Sequence, residues 1–230
     1  GTTSTTVTVD VIGDNLVEID ETFAVNLSDV LFDGVVDTSR ASIVDGSGTG
    51  TIVNDDVASL TIDDVSMSEG DSGTQNYVFT ITSDLSASKD VRVLVDTATV
   101  LDAAGGSDFA ALVSQPATIA AGDTTTTVTV VVSGDGLVEL DETFAVNLSA
   151  GQFDGSVDTS RVGFADAMGI GTIVNDDSTT VSINDIAVVE GDAGNTDLLF
   201  TISTGVASGR DIQVEVDTAN LVEAVAGVDY

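Results

Sequence analysis

The segment DETFAVNLS occupies residues 20–28 and returns at 141–149, and GTIVNDD at 50–56 returns at 171–177. Each pair is separated by 121 residues, and the same offset carries Val36 to Arg40 onto Val157 to Arg161, Glu69 onto Glu190, Phe79 onto Phe200 and Val95 onto Val216, with no insertion or deletion. One fold must therefore serve every copy. A period of 121 residues exceeds the roughly 20–50 residues of a solenoid unit and suits an independently folding sandwich of about 100 residues.

Taking NDD as the end of a repeat divides the chain into the C-terminal half of one module at 1–56, a complete module at 57–177 and the N-terminal half of the next at 178–230. Only Val57, Ala58 and Ser59 separate Asp56 from a strand centred near Leu60. Without a Pro-rich or Gly/Ser-rich spacer, such a connection predicts a stiff rod. Gly1 corresponds to Gly122 and Tyr230 to Phe109, so the two halves add up to one module lacking only the counterpart of 110–121. A half-sandwich exposes an apolar face and open strand edges. The partners expected are therefore neighbouring copies of the same repeat, either with 178–230 of one packing head-to-tail on 1–56 of the next or as successive modules of a longer covalent repeat.

Alternation and turn residues in the complete module predict about seven strands: near Leu60, then 77–82, 91–95, 117–119, 126–132, 143–148 and 171–174. In the sixth, Phe144, Val146 and Leu148 face the core while Ala145, Asn147 and Ser149 face outward. Tyr77, Phe79 and Phe153 join Phe144 as packing residues. The fold class expected is all-β, a two-sheet antiparallel sandwich in tandem repeat, with no amphipathic helix.

The chain carries 39 acidic and 5 basic residues, a net charge of −34, which opposes binding to nucleic acid and to anionic lipid and draws cations. Neither Cys nor His occurs. That excludes disulfides, thiolate and imidazole catalysis, and the usual zinc and copper ligands, so any metal site is built from oxygen. No apolar run is long enough to span a membrane. Because the first residues fall within a module, the lack of a signal peptide carries no information on targeting. The Gly-rich tract around Gly48 lacks the Lys of a phosphate loop and reads as a strand-edge turn. Glu139 with Asp141 or Glu142 has the composition of a glycosidase pair, yet the absence of Trp and an aromatic content of 4% argue against a sugar cleft. Arg40 and Arg161 stand at equivalent places and read as local ion pairs or edge gatekeepers.

A first strand ending in Ser68-Glu69-Gly70, a GSDF tract at 106–109 matched by GVDY at 227–230, the stretch GDGLVELDETF at 134–144 and the closing GTIVNDD together resemble the Calx-beta family. The four motifs stand in the family's order and the order repeats. The resemblance implies an immunoglobulin-like sandwich with calcium ligands gathered at one pole. In the complete module it implies Glu69, Asp108, Asp135, Glu139, Asp141, Glu142, Asp176 and Asp177. The preceding half offers Glu18, Asp20, Glu21, Asp55 and Asp56, and the following half Glu190 and Asp229. Val57 and Ser178 follow the terminal pair here, where such members often carry a third acid. Calcium accepts six to eight hard oxygen ligands in flexible geometry, which suits loop carboxylates better than the tighter magnesium octahedron does. The complete module holds 19 acids; their concentration in this set is not what uniform adaptation to salt predicts, whereas Asp-Asp and Asn-Asp tracts also form turns.

The function expected is a calcium-binding structural repeat of a secreted or cell-surface adhesin, stalk or filament, with calcium stiffening module junctions. The alternatives are a regulatory calcium sensor and a carbohydrate-binding module. Catalysis is not expected.

Overall fold

Val128, Val130 and Val132 are buried while Thr125, Thr127 and Thr129 between them are exposed, so the period-two pattern of TTTTVTVVV becomes a strand with one face in a core. The same logic runs through the computed structural model, which describes residues 2–103, 107–222 and 226. In chain order its strands are β1 (Glu21–Asn26), β2 (Leu31–Phe32), β3 (Val35–Val36), β4 (Ser47–Ile52), β5 (Ala58–Ile62), β6 (Val65–Ser68), β7 (Gly73–Ser83) and β8 (Val91–Leu101). They continue as β9 (Gln115–Ile119), β10 (Thr125–Gly134), β11 (Glu142–Phe153), β12 (Ser156–Val157), β13 (Val162–Phe164), β14 (Met168–Val174), β15 (Val181–Ile183) and β16 (Ile202–Thr204). No helix occurs among the described residues.

Strands β5 to β14 form two sheets. One runs β10-β7-β5-β13, and the other β6-β14-β11-β8-β9 with β12 on β11. First, second and fifth long strands thus face third, sixth and seventh, the strand partition of an immunoglobulin-like sandwich, with the fourth strand β9 beside β8. All seven expected strand positions lie in β5, β7, β8, β9, β10, β11 and β14. Of the additional short strands, β12 folds back on β11, whereas the first strand splits into β5 and β6, one piece per sheet, and these pair in parallel with β13 and β14. The sandwich is otherwise antiparallel.

Leu60, Tyr77, Phe79, Phe109, Phe144 and Ile173 are fully buried between the sheets. Phe144 is the hub, stacked on Phe109 at 4.6 Å between centroids, tilted against Tyr77 at 6.1 Å and edge-on to Phe79 at 6.0 Å. Its register partner on β14 is Gly171, where a Cβ would stand 2.3 Å from Cζ of Phe144. The first glycine of GTIVNDD is therefore the space the ring occupies. Phe23 and Gly50 repeat the arrangement between β1 and β4. Ala145, expected to face outward, is buried; it lies between Ala98 on β8 and Ile170 on β14, a small residue sheltered by two neighbouring strands. At the end of β11, Asp154 and Gly155 both take positive φ, 49° and 79°, the requirement of a two-residue hairpin turn.

The sandwich has two distinct ends. β10 and β7 pair from Thr125 opposite Thr82 to Gly134 opposite Gly73, so the 84–90 loop lies at one end and the 135–141 loop at the other. Each end meets a neighbouring repeat. Val17, fully buried, donates its N–H to Ser86 O at 3.1 Å and accepts from Ser88 N at 2.9 Å. At the opposite end Val138 makes the equivalent pair with Ala207 O at 3.2 Å and Gly209 N at 3.0 Å. Both residues lie 121 apart, as do their partners, so the same junction is built twice.

Candidate metal centre

The acidic end is assembled by backbone geometry. β6 runs beside β14, with Ser68 opposite Val174, and this delivers Glu69 next to the terminal Asn175-Asp176-Asp177 tract. The Glu69 N–H donates to Val174 O at 3.3 Å, and the Gly70 N–H donates to Asp176 Oδ1 at 3.1 Å. The result is a trio, Glu69, Asp176 and Asp177, whose carboxylate oxygens lie within 4.8 Å of one another. Glu69 is 5% exposed. Asp177 Oδ2 is buried without a hydrogen-bond partner.

Asn175 ties the trio to the 135–141 loop. Its Oδ1 accepts from Glu139 N at 3.0 Å, its own N–H donates to Asp141 Oδ1 at 3.2 Å, and its Nδ2 donates to Asp177 O at 2.9 Å. Asp135 caps the same loop by accepting from Leu137 N at 2.7 Å. The preceding repeat reproduces all four contacts: Glu18 N to Asn54 Oδ1 at 2.8 Å, Asn54 N to Asp20 Oδ1 at 3.3 Å, Asn54 Nδ2 to Asp56 O at 2.8 Å and Leu16 N to Asp14 Oδ1 at 2.9 Å. Asn175 and Asn54 were absent from the ligand expectation because Asn-Asp reads locally as a turn. Their recurrence inside the repeated GTIVNDD is the signal that marks them.

Electrostatics divide the acids into two adjoining groups. Burial pushes the Glu69 carboxyl up to about 7, and the negative charges of Asp135, Glu139, Asp177 and Asp176 add to the effect. Burial, with Asp71, Asp176 and Asp135, raises Asp177 as well. In the second group burial pushes Glu142 up to about 7, aided by Asp108, Glu139 and Asp102 and by a hydrogen bond with Asp108. Glu139 belongs to both groups: burial, Asp135 and Asp108 raise it, and Arg210 of the following repeat opposes them. Asp71 and Asp102 are thus acids of this end that the motifs did not mark.

The remaining expected residues take other places. Asp141 is exposed and serves as the acceptor for Asn175. Glu18 is raised by desolvation and by Glu21, Asp14 and Asp56, so those three acids gather near it, while Asp55 is exposed. Asp20 accepts from Asn54 and from Arg161. Glu190 is exposed, its carbonyl bonded to Thr196 Oγ1 at 3.0 Å, and it belongs to no acidic trio among the described residues. Asp229 lies outside the described residues. Arg40 and Arg161 make the expected local ion pairs, with Asp37 and Asp158 respectively.

The donor set fits a hard divalent cation. It is all oxygen, it is convergent, and one buried carboxylate oxygen has no protein partner.

No protein-family profile matches this sequence, and no curated protein matches it. Solved structures of Calx domains match over about half of the chain at low identity. The apo-form Calx CBD1 domain is 18% identical, with 53% of this chain and all of that domain covered and a TM-score of 0.42. The calcium binding domain CBD12 of CALX1.1 is 16% identical over 57% of this chain and 53% of that one, with a TM-score of 0.43. CBD12 from CALX1.2 is 18% identical over 51% of this chain, with the same TM-score, and the match spans 44% of its length.

Proposed function

We propose that the chain is a structural repeat of a secreted or cell-surface stalk or filament, and that calcium held at the acidic end of each module stiffens the junction with the next. The observation that carries this reading is the trio of Glu69, Asp176 and Asp177, with Glu69 buried and Asp177 Oδ2 unpartnered. Buried like charges without a counter-ion destabilise a fold. The charges acting most on Glu69 are all negative, so the compensating charge has to come from solution. Glu69, Asp176 and Asp177 would hold the ion, with Asp135 and Glu139 beside them. Its contribution is to neutralise their repulsion and to stabilise the folded state alone.

The coupling to the junction follows from one loop. Glu139 stands beside Val138, and Val138 is hydrogen-bonded to the following repeat. An ion that immobilises Glu139 restricts that contact. Calorimetric titration of the full chain with calcium and with magnesium tests the reading. Heat of binding with calcium, a weaker response to magnesium and its loss in Glu69→Gln are expected. A chain indifferent to calcium would make the acids a solubility device.

A further inference from the structure

The strand that opens the central module and the strand that closes it lie side by side. The chain enters from the preceding repeat at Val57 and runs through β5, which starts at the end where Val17 is bonded to the 86–88 loop: Leu60 opposes Ser83 and Ile62 opposes Ile81. After Asp63 and Asp64 it continues as β6 and reaches Glu69 at the acidic end. β14 runs in the same direction beside β6, from Gly171 opposite Val65 to Val174 opposite Ser68, and leaves at the acidic end into the following repeat. Further bonds fasten this pair at both of its ends. Asp64 Oδ1 accepts from Ile170 N at 2.7 Å at the start, and Glu69 N and Gly70 N donate to Val174 O and Asp176 Oδ1 at the finish. Between them the Tyr77 hydroxyl donates to Met67 O and ties β6 to the opposite sheet. A Cβ at Gly169 would stand 2.3 Å from Asp63 O, so this glycine is what lets β14 lie so close to the β5–β6 connection.

Tension along the chain loads these two strands in opposite senses. A pull from the preceding repeat draws β5 and β6 one way, and a pull from the following repeat draws β14 the other. Pulled so along a shared direction, the parallel pair separates by sliding lengthwise; its evenly spaced bonds and the ties at its two ends share the load and fail together. Opening the pair from one end would break the same bonds in succession. We propose that β6 and β14 form the load-bearing clamp of the module, and that a divalent cation held by Glu69, Asp176 and Asp177 locks it. Sliding carries Glu69 away from Asp176 and Asp177, so a cation bound to all three has to lose a ligand before β6 moves past β14. The clamp rests on the strand topology alone, whereas the lock rests on the calcium reading above.

The chain contains no cysteine, so two introduced cysteines define the direction in which a single full-length molecule is pulled. Thr51→Cys with Thr180→Cys, both exposed, loads the module along the chain, and the release of its 121 residues, about 400 Å of extended chain, identifies the event. Ser72→Cys, also exposed, with Thr180→Cys places both handles at the acidic end and peels β6 from β14 there. At the same force in chelator, unfolding along the chain is expected to be slower than peeling by about fivefold or more, the effect of even one additional hydrogen bond broken in the transition state. Calcium at about 100 times its dissociation constant is expected to slow unfolding along the chain by about 100-fold when the ion is lost in that transition state, and Glu69→Gln to remove the slowing. Equal rates in the two directions in chelator overturn the clamp. A directional difference without slowing by calcium, in a chain that binds calcium by calorimetry, supports the clamp and overturns the lock. The same difference with no heat of calcium binding overturns the calcium reading and the lock with it, and supports the clamp as a device that needs no ion.

Discussion

Arg161 donates from Nη2 to Asp20 Oδ1 at 2.7 Å across 141 residues of sequence, and so joins one repeat to the acidic loop of the repeat before it. The same guanidinium donates from Nε to the Glu18 carbonyl at 2.7 Å and from Nη1 to Asp158 at 2.9 Å, and it lies 5.8 Å from the Phe153 ring centroid. Asp20 is half exposed, so the ion pair stabilises by about 1 kcal/mol or less. Its effect is on geometry: the bond to Asp158 anchors the guanidinium in its own repeat, and the two donors that reach Glu18 O and Asp20 set the angle at which consecutive repeats meet. Arg161→Ala is expected to lower the melting temperature by only a few degrees while broadening the distance distribution between spin labels on either side of the junction. An unchanged distribution would show that Val17 alone sets the junction.

The Phe144–Gly171 pair yields a stability prediction. A methyl group at 171 has no space beside the ring, and overpacking of this kind costs about 1–3 kcal/mol. Gly171→Ala is expected to lower the midpoint of chemical unfolding accordingly. Phe144→Leu vacates the ring's space, so the double variant is expected to lose less than the sum of the single losses. Additive losses would mean that the glycine is required for backbone reasons.

Titration of the acidic end gives a signed prediction. Glu69 and Glu142 are raised from 4.5 to about 7. A carboxyl with a higher pKa in the folded state binds its proton more tightly there than in the unfolded chain. Between those values the folded state carries more protons, so stability falls as pH rises through the window. In chelator the protein is expected to melt several degrees lower at about pH 8 than at about pH 5, with calcium closing the gap by compensating the negative charge that the lost protons leave. Glu69→Gln is expected to raise the melting temperature in chelator at the higher pH and to remove the calcium response. A melting temperature in chelator that climbs with pH would sink this account.

The strands were legible because their signal is local: alternation through 125–132 and 143–148 names the inward side chains without knowledge of any neighbour. Repetition at 121 residues made the module boundaries an expectation without any fold in view. What the sequence concealed depends on neighbours across space. Ala145 is buried by adjacent strands, β6 exists because β14 lies beside it, and Asp71 and Asp102 join the acidic end from positions outside the motifs. The junction was visible only as a short connection, since Val17 and Val138 look like any apolar loop residues until their backbone partners in the next repeat are known.

Asn175 carries the last prediction. It is not a carboxylate, yet it holds the terminal tract to the 135–141 loop through one acceptor and two donors, and two of its partners lie 36 and 34 residues away. Asn175→Ala removes the acceptor for Glu139 N and the donor to Asp177 O while leaving the backbone bond to Asp141. Both the acidic trio and Glu139 then lose a restraint without losing an oxygen ligand. Outer-shell residues of this kind typically contribute about 10–100-fold to metal affinity. A weakening of calcium binding within that range is therefore expected by calorimetry, with an unchanged number of ions bound and a circular dichroism spectrum like that of the unsubstituted chain. Asn175→Asp keeps the acceptor but loses the donor and adds negative charge, so in chelator it is expected to be less stable than Asn175→Ala, and calcium is expected to restore more of its melting temperature. If both variants bind calcium like the parent, the trio is held by the β6–β14 pairing alone, and the asparagine serves only the turn.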